Sequence, residues 1–260
     1  MDSHLPKKRT SMNYPNFKNK HSEKALFSAK DFVTWGKYLI EEPKIKPSKY
    51  ILIYYPYVVN YFLRKYKPLK FRQHWLMRVY QHKGLAVAAL TGIGAPNAVV
   101  VLEELIALGG RQFINIGSAG GLKDFGFFLC DRAIRDEGTS HHYIAPGKYS
   151  YPDKGLTDRL GKSMKKLGCN FEPGTTWTID APYRETKKEV QHYRSQGVKT
   201  VDMEASALFA VASVRKVKMA SAFIVSDILS DDRWDPQFDA RHVRQNMKLL
   251  LDAAIQCFDS

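Results

Sequence analysis

The chain has 260 residues, 44% of them hydrophobic, and 40 Lys and Arg against 26 Asp and Glu give it a formal net charge of +14. This length fits one large α/β domain or two small ones. No apolar run is long enough for a membrane span, and no apolar N-terminal segment resembles a secretory signal. Three scattered cysteines without a Cys-x-x-Cys pair argue against a disulfide framework and a zinc site, so we expect a cytoplasmic protein without a metal.

The positive charge is distributed unevenly. No Asp or Glu occurs from 43 to 102, a stretch that holds ten Lys and Arg residues. Such a stretch favours an anionic partner such as phosphate, a nucleotide or nucleic acid, although a solvated basic face is an equal alternative. Residues 1–25 are polar and basic, with a cluster at Lys7-Lys8-Arg9. They are predicted to form a flexible tail before one domain over 26–260.

The regular elements are predicted from apolar runs and helical spacing. In chain order they are a helix within 26–48, strands at 50–55 and 85–90, a helix at 96–108, a strand at 113–116, a helix at 203–214, a strand at 221–225 and a C-terminal helix at 239–256. The strand–helix–strand spacing over 85–116 predicts a parallel βαβ unit. We therefore expect one α/β domain built on a mixed, largely parallel sheet.

Two glycine-rich segments follow apolar strands. Thr91-Gly92-Ile93-Gly94-Ala95-Pro96 predicts a tight turn into a helix whose N-terminus favours an anion. Gly117-Ser118-Ala119-Gly120-Gly121 predicts a small turn at the carboxyl end of a strand, where ligands of open α/β sheets bind. It matches neither G-x-G-x-x-G nor a P-loop, which disfavours dinucleotide binding and nucleoside triphosphate hydrolysis. A purely structural turn is the alternative.

Acidic residues stand at two further strand ends. In Asp202-Met203-Glu204, a carboxylate can accept hydrogen bonds from vicinal sugar hydroxyls while the methionine packs on a sugar ring. The alternative is a helix N-cap for Asp202 and a first-turn acid for Glu204. Because the helix that follows is almost wholly apolar, we favour a binding role for Glu204. Asp227 ends another apolar strand and is a candidate general acid, with capping as its alternative.

The segment Arg135-Asp136-Glu137-Gly138-Thr139-Ser140-His141-His142-Tyr143 is dense in charged and imidazole groups. Zinc ligation by adjacent histidines is geometrically awkward, and no acid lies at a matching helical spacing. We predict a pocket-lining loop whose charges are partly paired.

Several of these motifs together resemble the nucleoside phosphorylase family, which includes hexameric purine nucleoside phosphorylase, uridine phosphorylase and the methylthioadenosine/S-adenosylhomocysteine nucleosidases. The similar segments, from about Tyr50 onward, are 91–96, 116–121, 135–142, 180–186, 201–207 and 226–227. The resemblance implies a single α/β domain with a mixed, largely parallel, barrel-like sheet flanked by helices. It also implies cleavage of a nucleoside N-glycosidic bond through an oxocarbenium-like ribosyl cation.

The resemblance further implies roles for particular residues. Asp227 would protonate a purine base, and Met203 and Glu204 would hold the ribose, with Glu204 on its 2′ and 3′ hydroxyls. Ser118 would bind phosphate. Arg72 would be lent to the phosphate site of a neighbouring subunit, which implies a homo-oligomer, either a dimer or a trimer of dimers. The remaining substrate-binding residues implied are Gly92, Ala119, Gly120, Tyr183 and Asp202.

The sequence also departs from this family. The Gly-Asp-Pro-x-Arg loop of phosphorylases is replaced by Ile53-Tyr54-Tyr55-Pro56-Tyr57, and an arginine before the glycine-rich segment is replaced by Asn115. Asn115 resembles the hydrolytic nucleosidases, yet the acid-free stretch lacks their water-activating carboxylate. Pro182 replaces a base-stacking aromatic, with Tyr183 beside it.

The sequence therefore predicts phosphorolysis of a purine nucleoside, in purine salvage, with inorganic phosphate as co-substrate and no cofactor. One alternative is a hydrolytic nucleosidase of the same fold that acts on a nucleoside or a nucleotide. The other is a non-catalytic protein that binds a nucleoside or nucleic acid, and we consider nucleic acid the less favoured partner.

Overall fold

The structure is a computed structural model that describes residues 14–36, 46–73, 75–230 and 233–259. Within these ranges the helices are α1 (Ala29–Trp35), α2 (Pro56–Tyr66), α3 (Ala95–Ala107), α4 (Lys154–Lys166), α5 (Lys187–Ser195), α6 (Ala205–Arg215) and α7 (Arg241–Asp259). The strands are β1 (Lys49–Ile53), β2 (Leu69–Gln73), β3 (Met77–His82), β4 (Leu85–Leu90), β5 (Gln112–Gly121), β6 (Phe127–Asp136), β7 (Tyr149–Ser150), β8 (Phe171–Ile179), β9 (Thr200–Asp202), β10 (Lys218–Leu229) and β11 (Trp234–Pro236).

Five of the strands close into a barrel. β5 pairs with β10 in parallel, β10 with β6 antiparallel, and β6 with β8 and β8 with β9 in parallel. The ring is completed where the last residues of β5 pair antiparallel with β9, with Gly120 opposite Val201. The prediction of a barrel-like mixed sheet in one α/β domain is confirmed.

The sheet also extends away from the barrel through β1, β4, β3 and β2. β1 pairs in parallel with both β4 and β5, so the predicted βαβ unit of β4, α3 and β5 has β1 inserted between its two strands. Every residue of β4 is buried, as expected for a strand covered on both faces. The antiparallel pairs of this extension lie at its outer edge, in β4–β3 and β3–β2.

Helices cover both faces of the sheet. Tyr50 and Leu52 of β1 face the core under α3 and α6, whereas Ile51 and Ile53 face the core under α2, α4 and α7. This alternation follows from the two-residue period of a strand. α6 is buried from Ala205 to Ala212, which agrees with its almost uniformly apolar sequence.

The described residues before β1 lie against the domain. α1 begins at the capping box of Ser28 and Asp31, within the segment where the sequence predicts a helix. The Oη of Tyr14 and the Nε2 of His142 are 2.9 Å apart. Lys7-Lys8-Arg9 lies outside the described residues. In the described ranges, no helix has both the length and the hydropathy that a bilayer crossing needs.

The predicted turn at Gly117–Gly121 is wrong, because these residues form the last part of β5. Glycine is required here because the neighbouring strands pack closely against these positions. A Cβ built on Gly120 would lie 2.9 Å from Val201 Cγ1, and one on Gly121 would lie 2.6 Å from Val225 Cγ1. Side chains of the neighbouring strands β9 and β10 already fill that space, so the barrel closes here only with glycine.

Candidate active site

A cavity of about 540 Å³ opens where β5, β9 and β10 end. This volume is in the range that holds a small-molecule ligand. Its lining residues are Tyr54, Tyr55, Ile93, Gly117, Ser118, Ala119, Gly120, Pro182, Tyr183, Glu185, Val201, Asp202, Met203, Glu204, Ser226, Asp227, Leu229, Trp234 and Phe238. The predicted residues Ser118, Ala119, Gly120, Tyr183, Met203, Glu204 and Asp227 all lie on this one cavity, as does Asp202.

Two ends of this cavity differ in exposure. We call the group Tyr54, Tyr55, Asp202, Met203 and Glu204 the buried end. We call the group Tyr183, Glu185, Trp234 and Phe238 the open end. Asp227, at the carboxyl end of β10, lies in the cavity wall and is only 7% exposed.

Glu204 is the central acid of the buried end. It is 7% exposed, and its Oε1 accepts a hydrogen bond from the backbone N–H of Gly94 at 2.6 Å. Gly94 is the N-cap of α3 with φ of 93°, a conformation that glycine adopts easily. The predicted anion at the N-terminus of this helix is therefore a carboxylate of the protein itself. Burial, and then the nearby Asp202, raise the pKa of Glu204 to about 8, and the Gly94 N–H opposes that shift.

Asp202 is fully occupied by the protein. Its Oδ2 accepts from the backbone N–H groups of Glu204 and Ala205 at 2.8 and 2.7 Å. Its Oδ1 accepts from the hydroxyls of Thr176 and Thr178 at 3.1 and 2.8 Å. These four bonds match the capping alternative. The side chain fixes the start of α6, and hence the position of Glu204, rather than offering a free acceptor to a ligand.

Asp227 is held in place by two neighbours. Its Oδ1 accepts from the Ser226 hydroxyl at 2.9 Å, and its Oδ2 accepts from the indole N–H of Trp234 at 2.8 Å. Trp234 begins β11, which pairs antiparallel with the end of β10. A carboxyl group has more hydrogen-bonding positions than these two bonds use, so the bonds orient Asp227 and leave it able to exchange a hydrogen bond or a proton with a ligand in the cavity.

A third part of the wall joins Ser118 to the start of α2. The hydroxyls of Ser118 and Tyr55 are hydrogen-bonded to each other. Next to them, the Tyr54 hydroxyl donates to Asn115 Oδ1 at 2.8 Å. Burial raises the pKa of both tyrosines, so at neutral pH both phenols keep their protons. The tyrosines that replace the phosphorylase loop thus reach the glycine-rich strand directly.

Apart from Tyr183, the open end holds residues that the sequence reasoning did not single out. Glu185 is half-buried on the cavity wall, after the 3₁₀ turn Pro182–Arg184. Trp234 and Phe238 are 56% and 41% exposed, and their ring centroids lie 6.0 Å apart. Tyr183 is fully exposed at the rim. Glu185 lay within the similar segment 180–186 without a role of its own, and no sequence signal separated Trp234 and Phe238 from ordinary loop positions. These residues converge only after β8 and β10 enter the same barrel.

Two predicted site segments lie away from the cavity. Gly92 is not among the lining residues, and its carbonyl accepts from the Asn97 side chain at 2.8 Å, while Ile93 beside it forms part of the wall. The loop at 135–143 does not line the cavity either. Arg135 is buried and donates to Ser140 Oγ at 2.9 Å, and Glu137 accepts from Ser206 Oγ at 2.9 Å.

These contacts correct the prediction of a pocket-lining loop. The charges of 135–143 satisfy backbone and hydroxyl groups, and the loop ties β6 to the start of α6. Its functional effect on the cavity is therefore indirect. Arg72 lies on β2, opposite Val79 of β3, and only its backbone is described. Its predicted role in a neighbouring subunit stays a prediction.

The cavity is acidic. Among the described residues its wall contains four carboxylates and no Lys, Arg or His. No group of three or more His, Cys, Asp or Glu side chains suited to a metal lies in the described ranges. Acceptor-rich walls of this kind fit a ligand that presents hydroxyl and N–H donors.

The fold and this cavity define an α/β protein with an acidic cavity of small-molecule size. The family model of the phosphorylase superfamily matches residues 54–256, so the chain belongs to that superfamily. The predicted family resemblance is confirmed.

Similar proteins include both pyrimidine- and purine-directed phosphorylases. A uridine phosphorylase of Thermococcus kodakarensis is 26% identical over 166 residues, which cover 57% of this chain and 60% of that protein. A purine nucleoside phosphorylase of Plasmodium vivax is 24% identical over 173 residues, covering 64% and 70%. The matched part thus spans about three fifths of the length of the first of these relatives.

One solved structure extends the likeness over nearly the whole chain. The crystal structure of an AMP nucleosidase from Bacteroides thetaiotaomicron superposes with a TM-score of 0.73 and 22% identity. The superposition covers 90% of this chain and 99% of that one. It shows that the two proteins share a fold, including the barrel on which the cavity lies.

Proposed function

We propose that this protein cleaves the N-glycosidic bond of a purine nucleoside by phosphorolysis, giving free base and ribose 1-phosphate. The observation that carries the proposal is that Glu204, Asp227 and Ser118 line one cavity of nucleoside-compatible size. The chain belongs to the phosphorylase superfamily, and the proteins similar to it include uridine and purine nucleoside phosphorylases. Both facts support the same chemistry.

The ribose belongs at the buried end. The carboxylate of Glu204 can accept hydrogen bonds from the 2′ and 3′ hydroxyls, and Met203 beside it offers an apolar surface to the sugar ring. These hydroxyls donate more strongly as positive charge develops on the sugar, so the bonds to Glu204 strengthen toward the transition state. The Gly94 N–H and the capped turn of Asp202 keep the carboxylate in position.

The purine belongs between Asp227 and the open end. Bond cleavage moves electrons into the base, which makes its N7 more basic, and Asp227 supplies the proton or hydrogen bond that N7 then requires. Trp234 and Ser226 fix the Asp227 carboxyl for this transfer. Tyr183 at the rim offers an aromatic face to the base.

Inorganic phosphate is the proposed acceptor of the ribosyl group. It would bind next to the hydroxyls of Ser118 and Tyr55. The cations that a phosphate dianion requires would come from outside the described cavity wall, with Arg72 of a neighbouring subunit as the proposed source. The proposal therefore includes a homo-oligomer in the cytoplasm and no cofactor other than phosphate.

Hydrolysis is the second candidate, and a particular observation favours it. Along the described part of the chain, the cavity wall lacks any Lys, Arg or His that would neutralise phosphate. The Ser118 hydroxyl is already hydrogen-bonded to Tyr55, and a wall without a cation suits water better than a phosphate dianion. The AMP nucleosidase with the same fold is a precedent for a nucleotide substrate.

A nucleoside panel assayed with and without phosphate tests these alternatives. Phosphorolysis predicts release of free base that depends on phosphate and formation of ribose 1-phosphate. Equal rates in phosphate-free buffer, with heavy oxygen from labelled water at C1′, would establish hydrolysis instead. Failure to cleave any nucleoside or nucleotide would leave the non-catalytic binding alternative, for which nucleic-acid affinity should fall steeply with salt.

A further inference from the structure

A cation lies just outside the cavity wall, although the described wall itself contains none. Arg244 belongs to the first turn of α7, and its guanidinium carbon is 4.8 Å from the centre of the Tyr57 ring. The centroids of the Tyr57 and Tyr55 rings are 5.5 Å apart, and Tyr55 lines the cavity. One aromatic ring therefore separates this guanidinium from the wall.

The start of α7 is fixed against the end of β10. The Gln237 N–H donates to the carbonyl of Ser226 at 2.9 Å, and the Ala240 N–H donates to the carbonyl of Gln237 at 2.9 Å. The Arg244 N–H then donates to the Ala240 carbonyl at 3.1 Å. Phe238, within this segment, lines the cavity. The backbone that carries Arg244 is thus held beside the cavity, and only the side chain has to move to reach a ligand.

The Arg244 side chain itself is weakly held. It is 46% exposed, and its Nη1 is 3.7 Å from Oδ1 of Asp239, whose side chain is 96% exposed. An exposed ion pair of this length contributes little to stability, and a cation on the face of a ring at a partly exposed site is also a weak contact. A phosphate group offers the guanidinium two charge-assisted hydrogen bonds in a matching geometry. Exchange of the weak contacts for a phosphate is therefore favourable.

The neighbouring wall offers hydroxyl donors to the same group. The hydroxyls of Ser118 and Tyr55 are hydrogen-bonded to each other. One of their two protons lies between them, so the other can be donated to a ligand. Two hydroxyls leave a phosphate dianion without a countercharge, and the wall also contains four carboxylates. A phosphate group bound here needs a cation, and the contacts through Tyr57 bring Arg244 within one ring of this hydroxyl pair.

We propose that Arg244 is a phosphate-binding residue of this cavity, which turns from the Tyr57 ring to pair with a phosphate group beside Tyr55 and Ser118. This inference rests on the proposed function and adds to it a cation from the same chain, whereas Arg72 would come from a neighbouring subunit. Two sources share this chemistry. One is inorganic phosphate that acts as the acceptor, and the other is a phosphate ester that the substrate carries.

The test measures binding of inorganic phosphate, ribose 5-phosphate and ribose by isothermal titration calorimetry at pH 8. We expect Arg244→Gln to weaken binding of inorganic phosphate, of ribose 5-phosphate or of both at least about tenfold. Binding of ribose should not change, because ribose has no phosphate. Arg244→Lys keeps the charge but not the two parallel hydrogen bonds, so it should restore only part of the lost affinity.

The matched control is Lys248→Gln. Lys248 lies one turn further along α7, and its Nζ is 5.7 Å from the centre of the Tyr61 ring, which does not line the cavity. Both variants remove one positive charge from the same helix. An equal loss in Lys248→Gln would show a general electrostatic effect and overturn the role of Arg244. Unchanged binding of both phosphate compounds in Arg244→Gln, or no binding of either by the wild type, would also overturn it.

Initial rates identify the source of the phosphate group. If inorganic phosphate is the ligand, Arg244→Gln should raise the KM for phosphate and leave the KM for the nucleoside nearly unchanged. If a phosphate ester is the ligand, the variant should raise the KM for a nucleoside 5′-monophosphate in phosphate-free buffer.

The same measurements separate this inference from the proposed function. Phosphate binding that depends on Arg244, together with no cleavage of any nucleoside, would support the role of Arg244 and refute the proposed reaction. Phosphorolysis with an unchanged KM for phosphate in Arg244→Gln would refute the role of Arg244 and leave the reaction standing.

Discussion

The two ends of the cavity are built differently. At the buried end, Asp202 and Glu204 are 4% and 7% exposed and have backbone N–H partners. At the open end, Tyr183 is fully exposed, Trp234 is 56% exposed, and Glu185 lacks a partner among the described residues. The barrel therefore preforms one half of the site, whereas loops after β8 and β10 supply the other half. Such a division lets one scaffold keep a fixed buried end while the loops of the open end vary.

The largest effect should come from Asp227→Asn, at the junction of the two ends. The amide keeps the size of the side chain but cannot deliver a proton to the leaving base. We expect kcat on a purine nucleoside to fall about 10²- to 10⁴-fold, measured as release of free base.

The matched control is Asp235→Asn. Asp235 lies on β11, pairs with Ile228 of β10 and does not line the cavity. Wild-type turnover in Asp227→Asn would remove this residue from the mechanism. The rate enhancement would then come mainly from binding of the substrate at the buried end.

Next in size is Glu204→Gln at the buried end. Assayed at pH 9, above the pKa of about 8 for the Glu204 carboxyl, the amide still accepts from the Gly94 N–H but lacks the charge that binds two sugar hydroxyls. We expect kcat/KM to fall about 10- to 100-fold, with Glu172→Gln as the matched surface control.

A 2′-deoxynucleoside sharpens this test. The loss caused by Glu204→Gln should be smaller on it, because one of the two hydroxyl partners is already missing. Equal losses on both sugars would show that Glu204 does not contact the 2′ hydroxyl.

The same residue predicts a pH effect on stability. The pKa of Glu204 is raised to about 8 in the folded protein, against 4.5 when exposed, so between these values the folded state binds a proton that the unfolded state has released. The unfolding free energy of the empty protein therefore falls as pH rises through this window, by at most about 1.4 kcal/mol per pH unit from this group.

Urea denaturation of the wild type and Glu204→Gln at pH 5, 6, 7 and 8 measures this contribution. The unfolding free energy of Glu204→Gln should increase relative to that of the wild type as pH rises. A constant difference would mean that Glu204 keeps an ordinary pKa and that the buried end is wetter than the structure indicates.

The smallest effect should follow Tyr183→Ala at the open end. An exposed ring contributes only when a base stacks on it, so we expect about a three- to tenfold rise in KM with little change in kcat. Tyr151→Ala, which removes a ring that is 61% exposed outside the cavity, is the control. A large loss of kcat in Tyr183→Ala would mean that the open end closes over the substrate and takes part in the chemical step.

Most regular elements were predictable because they depend on local patterns. The fully buried β4 and the helix α3 lie within one residue of their predicted bounds, since a continuous apolar run and a glycine stop are readable in sequence. The glycine-rich end of β5 was predicted as a turn because a run of glycines can mark either a turn or a place where strands pack too closely for a side chain. Only the neighbouring Val201 and Val225 side chains reveal that close packing is the cause here.

Of the candidate site, the sequence by itself indicated one acid of the buried end, Glu204 before an apolar helix, and two further wall residues, Asp227 at the end of an apolar strand and Ser118 among glycines. The two acids could be found because each stands near the end of a strand, where a charge would be costly to bury without a purpose, and Ser118 because of the glycines around it. Only the tertiary structure decided which acids are occupied by the protein and which are free, and that 135–143 supports α6 instead of lining the cavity. Hydrogen-bond satisfaction and the convergence of loops depend on distances across the barrel, and residues remote in sequence carry no local signal of their proximity.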